Sequence, residues 1–212
     1  MEPARPLPPF TISEAVTYSW NACLRNGGPA YLLVSLVVFV GNTAVVVLAA
    51  ANSSAGFQLA FELFGALIDV LLLLGLIRAA LDVVDGVTPH LGTVFRPDGY
   101  GPYLVASVLF LVGTYLGFIL LVVPGLVFAV IFEFYAYVIA EHPDITATGA
   151  LRRSAEITRG SRVRLLGLAA VLVCLNLAGA LCVVGLIVTY AISALALAYV
   201  YRALTNQGPV GA

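Results

Sequence analysis

Glu62, Asp69 and Glu133 are acidic residues set inside long apolar runs, and Asn42 and Asn176 lie at similar depth in two further runs. An ionisable group within a bilayer is costly and marks proton relays, ion paths or substrate contacts. Glu62 and Asp69 are seven residues apart, so they share one face of a helix. Brought together in a bundle, these five residues make a polar centre able to pass a proton or a cation. The competing reading is interhelical hydrogen bonding that fixes the packing, worth about 0.6 kcal/mol per bond. No basic residue lies at that depth, so the acids are protonated or face a water-filled cleft.

A second concentration of chemistry is positive. All ten basic residues are arginine, and Arg152, Arg153, Arg159, Arg162 and Arg164 crowd into one short stretch. Such a cluster attracts anionic lipid headgroups, at about 1 kcal/mol per residue near the membrane surface. It also orients a membrane protein, with no ligand required. Little else could support catalysis. His90 and His142 sit in different connectors, and Cys23, Cys174 and Cys182 have no paired spacing. No spacing matches a metal site, a nucleophile elbow, a phosphate-binding loop or a dinucleotide fingerprint. The expectation is a protein that is not an enzyme and uses no metal or cofactor. A net charge of −1 gives no case for nucleic-acid binding.

The elements that position these residues are membrane spans. The chain is 61% hydrophobic and 10% charged, against about 25% charged in soluble domains. A helix needs about 20 apolar residues to cross the hydrocarbon layer. Apolar runs predict spans near 30–51, 57–81, 103–123, 126–140, 163–182 and 185–204. Pro124-Gly125 is expected to break the third run from the fourth, and the last long run is divided near Cys182–Gly185. The fold expected is an all-α polytopic membrane bundle of six transmembrane helices with cytoplasmic interfacial amphipathic helices. It forms a single domain over 11–204, between a flexible tail at 1–10 and a short tail at 205–212.

Every arginine falls on one side of this layout, while the opposite loops, "NSSAG" (52–56), "VVPG" (122–125) and "LCVVG" (181–185), carry no charge. The positive-inside rule makes the arginine side cytoplasmic, with both termini there. The lack of lysine beside abundant Ala, Gly, Val and Arg points to a bacterial genome rich in G and C, and so to the bacterial cytoplasmic membrane. The N-terminus "MEPARPLPPF" has neither the basic start nor the apolar core of a signal peptide.

Two connectors read as short amphipathic helices. Thr11 and Glu14 form a capping box for a helix over 11–26. The other helix spans 144–160, with Asp144 as its expected N-cap and Gly160 as its stop. Glu156 is spaced to pair with Arg152 or Arg159 on it. The segments "ISEAVTYSWNACLRNGGPAYLL" (12–33) and "ITATGALRRSAEITRGSRVRLL" (145–166) both run from Ile to a glycine fifteen positions later, then into a span through Leu-Leu. The shorter "TPHLGTVFRPDGYGPYL" (88–104) follows a similar order. The pattern is three units of like orientation, each a cytoplasmic connector followed by a membrane hairpin. Gly113 and Gly117 make a GxxxG that permits close helix contact, within the monomer by preference or between protomers. Tyr135, Tyr137, Tyr190, Tyr199 and Tyr201 are expected as interfacial anchors.

Pro124-Gly125, Tyr135, "AEHP" (140–143) and "ALRRSAEITRG" (150–160) carry a resemblance. They are similar to a bacterial multi-pass family of unknown function that includes the YciC-type proteins. They also resemble the membrane domain attached to some glycerophosphodiester phosphodiesterases. The matching positions are Pro124, Gly125, Ala140, Pro143, Ala150, Leu151, Ser154 and Gly160, while Glu141-His142 departs from the Asp-Asn form. The resemblance implies a helical membrane bundle. No phosphodiesterase domain accompanies it here, so that activity is not implied.

Two functions follow as expectations. The leading one is a non-enzymatic accessory, scaffold or membrane-organising component acting through the arginine-rich face on anionic lipid and a protein partner or second copy. The rival is a small transporter or channel using the intramembrane carboxylates. The discriminating feature is whether those acids face a polar cavity inside the bundle or pack dry.

Overall fold

The computed structural model describes residues 10–24, 27–50, 55–181 and 183–205, and all its regular structure is helical. The helices are α1 (Ile12–Leu24), α2 (Gly28–Ala50), α3 (Ala55–Val84), α4 (Leu91–Val94), α5 (Tyr100–Leu120), α6 (Val122–Phe132), α7 (Tyr135–Glu141), α8 (Ala147–Ile157), α9 (Arg162–Gly179) and α10 (Val183–Leu204). Four stretches are long and apolar enough to cross a membrane among the described residues: Tyr100–Leu120, Val122–Glu141, Arg162–Gly179 and Gly185–Leu204. A fifth counts if α1 and the first part of α2 are taken together across their 91° bend.

That bend needs two glycines. Gly27 has φ +88°, in the left-handed region that side chains avoid, and a Cβ on Gly28 would strike the carbonyls of Ala22 and Cys23. The start of α1 is closed by reciprocal bonds. The Thr11 N–H donates to Glu14 Oε2 (3.1 Å), and the Glu14 N–H donates to Thr11 Oγ1 (3.3 Å). These bonds, the backbone one foremost, hold the Glu14 carboxyl below its ordinary value. Its folded value lies below its unfolded one, so this stabilisation is present above the ordinary carboxylate range and is lost as pH falls through the lowered value. Amide protection at the start of α1, corrected for intrinsic exchange, is therefore expected to drop on acidification. Glu14→Gln should remove that pH dependence.

The helices pair as three hairpins, α2 with α3, α5 with α6–α7, and α9 with α10. The hairpins join in a closed ring. The second helix of each meets the first helix of the next: α3 meets α5, α6 meets α9, and α10 returns to α2. The connectors follow the same rule. Short α4 lies on α3, α8 lies on α5, α6 and α7, and α1 lies on α10 and α9. Each unit's connector helix thus rests on the preceding hairpin, which is the arrangement of a pseudo-threefold ring. In the second and third hairpins the first helix is the outer one: 11% of α5 and 22% of α9 is buried, against 44% for α6–α7 and 50% for α10. In α3 the run Leu74–Leu81 is buried throughout.

The turn after α5 differs from expectation. The break is at Leu121, which is extended (φ −170°, ψ 151°), and Pro124-Gly125 lies inside the first turn of α6. Proline is accepted there because its missing N–H would have no partner in the helix. Gly113 and Gly117 pack within the chain. A Cβ on Gly117 would sit 2.7 Å from Gly125 Cα, and Gly113 lies under the Phe128 ring. The helix expected at 144–160 is α8, and its cap is Thr146, whose side chain accepts from the Gly149 N–H (3.2 Å), instead of Asp144. Glu156 pairs with Arg152 (3.3 Å) and with Arg153 (3.5 Å), and Arg159 is not its partner.

Candidate functional site

The span over Val122–Glu141 is broken. Helix α6 ends at Phe132, Glu133 and Phe134 form a turn, and α7 resumes at Tyr135. A break inside a membrane frees backbone groups that need partners. Helix α8 supplies them. The Phe134 N–H donates to Ser154 Oγ (3.1 Å), and Ser154 Oγ donates to the Ile131 carbonyl (3.0 Å). Thr158 Oγ1 donates to the same carbonyl (3.2 Å). Ala150 and Ser154 on α8 and Thr158 at its C-terminal cap are fully buried and face inward, while Arg152, Arg153 and Arg159 are exposed. Gly160, with φ +92°, then turns the chain into α9. Ser154→Ala is expected to destabilise the fold by ~1–3 kcal/mol through the orphaned Phe134 N–H. Thermal unfolding in detergent measures this, and Ser154→Thr should recover part of it.

The break places Glu133 about 12 Å inside the span, eight residues from Glu141 at about 1.5 Å each. Its side chain is half-buried and lies in the wall shared by two cavities. One, of about 290 Å³, is lined by Glu133, Asn176, Tyr190 and Ser193 with apolar residues from α6, α9 and α10. The other, of about 250 Å³, is lined by Glu133, Tyr103, Tyr135, Tyr137, Tyr190 and Ser193 with apolar residues from α3 and α10. Among the described residues no side chain or backbone group bonds the Glu133 carboxyl. Asn176 is by contrast committed: its Nδ2 donates to Ser193 Oγ (2.8 Å) and to the Leu172 carbonyl (2.8 Å). The Tyr31 phenol is fully buried, and its oxygen has no hydrogen-bond partner within bonding geometry among the described residues.

Of the five polar candidates, the structure brings Glu133 and Asn176 to one cavity. Asn42 lies on α2, and Glu62 and Asp69 lie on α3, but their side chains fall outside the described residues. The arginine candidates Arg152, Arg153, Arg159, Arg162 and Arg164 are all exposed. The tyrosines expected at the interface mostly face inward. Tyr135, Tyr137 and Tyr201 are buried, Tyr199 is half-buried and Tyr190 is exposed. The hydroxyl of Tyr137 bonds the Ala194 carbonyl (3.2 Å), that of Tyr201 bonds Glu141 Oε2 (2.5 Å) and that of Tyr135 bonds Ser107 Oγ (2.9 Å). A buried phenol needs such a partner, and the bundle provides it.

Two further constellations escaped the sequence reading. Arg202, near the end of α10, makes a two-pronged bond to Asp85, just past α3 (Nε to Oδ1 2.9 Å, Nη2 to Oδ2 2.5 Å). It also reaches Glu141, at the end of α7 (Nη1 to Oε1 2.6 Å). Each hairpin therefore contributes one member, and the cluster ties the three inner helices at the arginine-bearing end. Arg78, buried on α3, donates to the carbonyls of Arg96 (2.8 Å) and Asp98 and lies over the Tyr100 ring. It pins the second connector. The available signal was positional: Asp85, Glu141 and Arg202 all stand at the end of the second span of a hairpin. No three His, Cys, Asp or Glu residues among those described are placed to hold a metal ion.

Comparison with known proteins finds uncharacterised relatives in Mycobacterium tuberculosis and Mycobacterium bovis. Each is 27% identical over 228 aligned positions, covering 93% of this chain and 69% of the relative. No family model matches the chain, and no solved structure matches it.

Proposed function

We propose that the chain is a small membrane transporter or channel for a proton or small cation, with Glu133 as its binding carboxylate. The observation that carries this is the position of Glu133: on a helix break, deep in a span, between two cavities and with no protein partner for its carboxyl among the described residues. Non-helical backbone at membrane depth belongs where it lines a cavity. Broken helices at mid-membrane supply substrate and ion sites in transporters. A purely structural carboxyl in such a place would be hydrogen-bonded, as Asn176 is. In this reading the hairpins α2–α3, α5–α7 and α9–α10 are six spans in the bacterial cytoplasmic membrane. The connectors and both termini are cytoplasmic, and the Asp85–Glu141–Arg202 cluster closes that end of the bundle. The likeness to the YciC-type family belongs to the same proposal. It gains support from Ser154 and Gly160, motif positions that here hold the break and turn the chain into α9. The test is cation flux into liposomes carrying the wild type or Glu133→Gln.

A second reading, a non-enzymatic accessory or scaffold acting through its arginine face, is favoured by five exposed arginines along α8 and the start of α9. It predicts a protein partner that co-purifies with the wild type and is lost when Arg152, Arg153 and Arg159 become Gln.

A further inference from the structure

The junction of α8 and α9 encloses an open groove of about 600 Å³. Arg152, Arg159 and Arg162 line it with a single carboxylate, Glu156, and Val163 forms part of its floor. Glu156 is engaged by Arg152 and Arg153. Arg159 and Arg162 have no ion-pair partner among the described residues. Below the groove α9 turns an apolar face outward: Val163, Ala170, Cys174 and Leu177 are exposed at helical spacing, and exposed Leu181 follows just past the end of the helix. Val163 is 82% exposed and Leu181 91%. This stripe runs the length of α9, about 27 Å at 1.5 Å per residue, close to the thickness of a hydrocarbon layer.

We infer that the groove is a binding site for one anionic phospholipid, its phosphate on Arg159 and Arg162 and an acyl chain along the α9 stripe. The two halves of the site match the two halves of that molecule. Planar guanidinium groups bond phosphate oxygens in pairs, and the apolar stripe starts at the groove's edge. The site is independent of Glu133 and of any transport role.

The test is native mass spectrometry of the intact protein released from mixed micelles holding equal phosphatidylglycerol and phosphatidylcholine. One phosphatidylglycerol is expected to stay bound to the wild type. The double variant Arg159→Gln/Arg162→Gln should weaken its retention about a hundredfold, roughly tenfold for each lost charge-assisted contact. Arg153→Gln/Arg164→Gln removes the same charge outside the groove and should change retention by less than about threefold, the effect of screened surface charge. All four side chains are exposed, so neither variant challenges folding. Equal loss in both variants, or equal retention of phosphatidylcholine, overturns the inference. Displacement of the lipid by excess inorganic phosphate also overturns it, by assigning the groove to a free anion.

Discussion

Replacing Arg202 with Met should destabilise the folded bundle by ~3–5 kcal/mol, the usual consequence of removing one partner of a buried ion pair. The Arg202 side chain is 9% exposed, and its guanidinium satisfies two carboxylates contributed by the two other hairpins. Without it Asp85 and Glu141 are left facing each other with no cation between them. The two ends of the cluster are unequal. Glu141 is 17% exposed and is also bonded by Tyr201, whereas Asp85 is 37% exposed and reaches water. Asp85→Asn should therefore cost less than Glu141→Gln. The loss should concentrate at the arginine-bearing ends of α3, α7 and α10, where hydrogen exchange would accelerate first. Equilibrium unfolding in mild detergent and exchange mass spectrometry measure the two effects. Arg202→Met with undiminished stability would mean that apolar packing alone joins the three hairpins.

Glu133→Gln should leave stability nearly unchanged and weaken binding of the transported cation about tenfold to a hundredfold. That range corresponds to one hydrogen bond to a charged group, ~1.5–3 kcal/mol. The contrast with Ser154→Ala is the informative part. Ser154 bonds the backbone of the break, so its loss acts on stability. The Glu133 carboxyl bonds nothing described in the protein, so its loss acts on function. A large stability defect in Glu133→Gln would recast Glu133 as a packing residue.

The parts of this fold legible in the sequence were those set by local physics. Apolar run length marked out the three hairpins in outline, and the pair Thr11 and Glu14 announced the start of α1 through a bond spanning three residues. Other features depend on groups distant along the chain. The break at Glu133–Phe134 looked like unbroken apolar helix because the hydroxyl that stabilises it, on Ser154, arrives from another element. The Arg202–Asp85 pair joins residues 117 positions apart, and nothing in either neighbourhood signals the other. Proline misled in a simple way: Pro124 looks like a helix stop, yet in a first turn it is compatible with the helix that follows. The tyrosines misled because amphipathic rings suit a membrane interface and a polar bundle interior equally well. The cyclic order of the units could not be read from any one segment. It rests on α1 packing against α10 at the far end of the chain, a contact that closes the ring.

A cation path through Glu133 is open to direct measurement as ion flux. Purified wild type and Glu133→Gln would be reconstituted in liposomes, and proton, Na⁺ and K⁺ entry followed under an imposed membrane potential. Entry of one of these ions above that of empty liposomes, lost in Glu133→Gln and kept in Arg159→Gln/Arg162→Gln, is the predicted result. Wild-type liposomes no more permeable than empty ones to all three ions, or flux unchanged by Glu133→Gln, would contradict it.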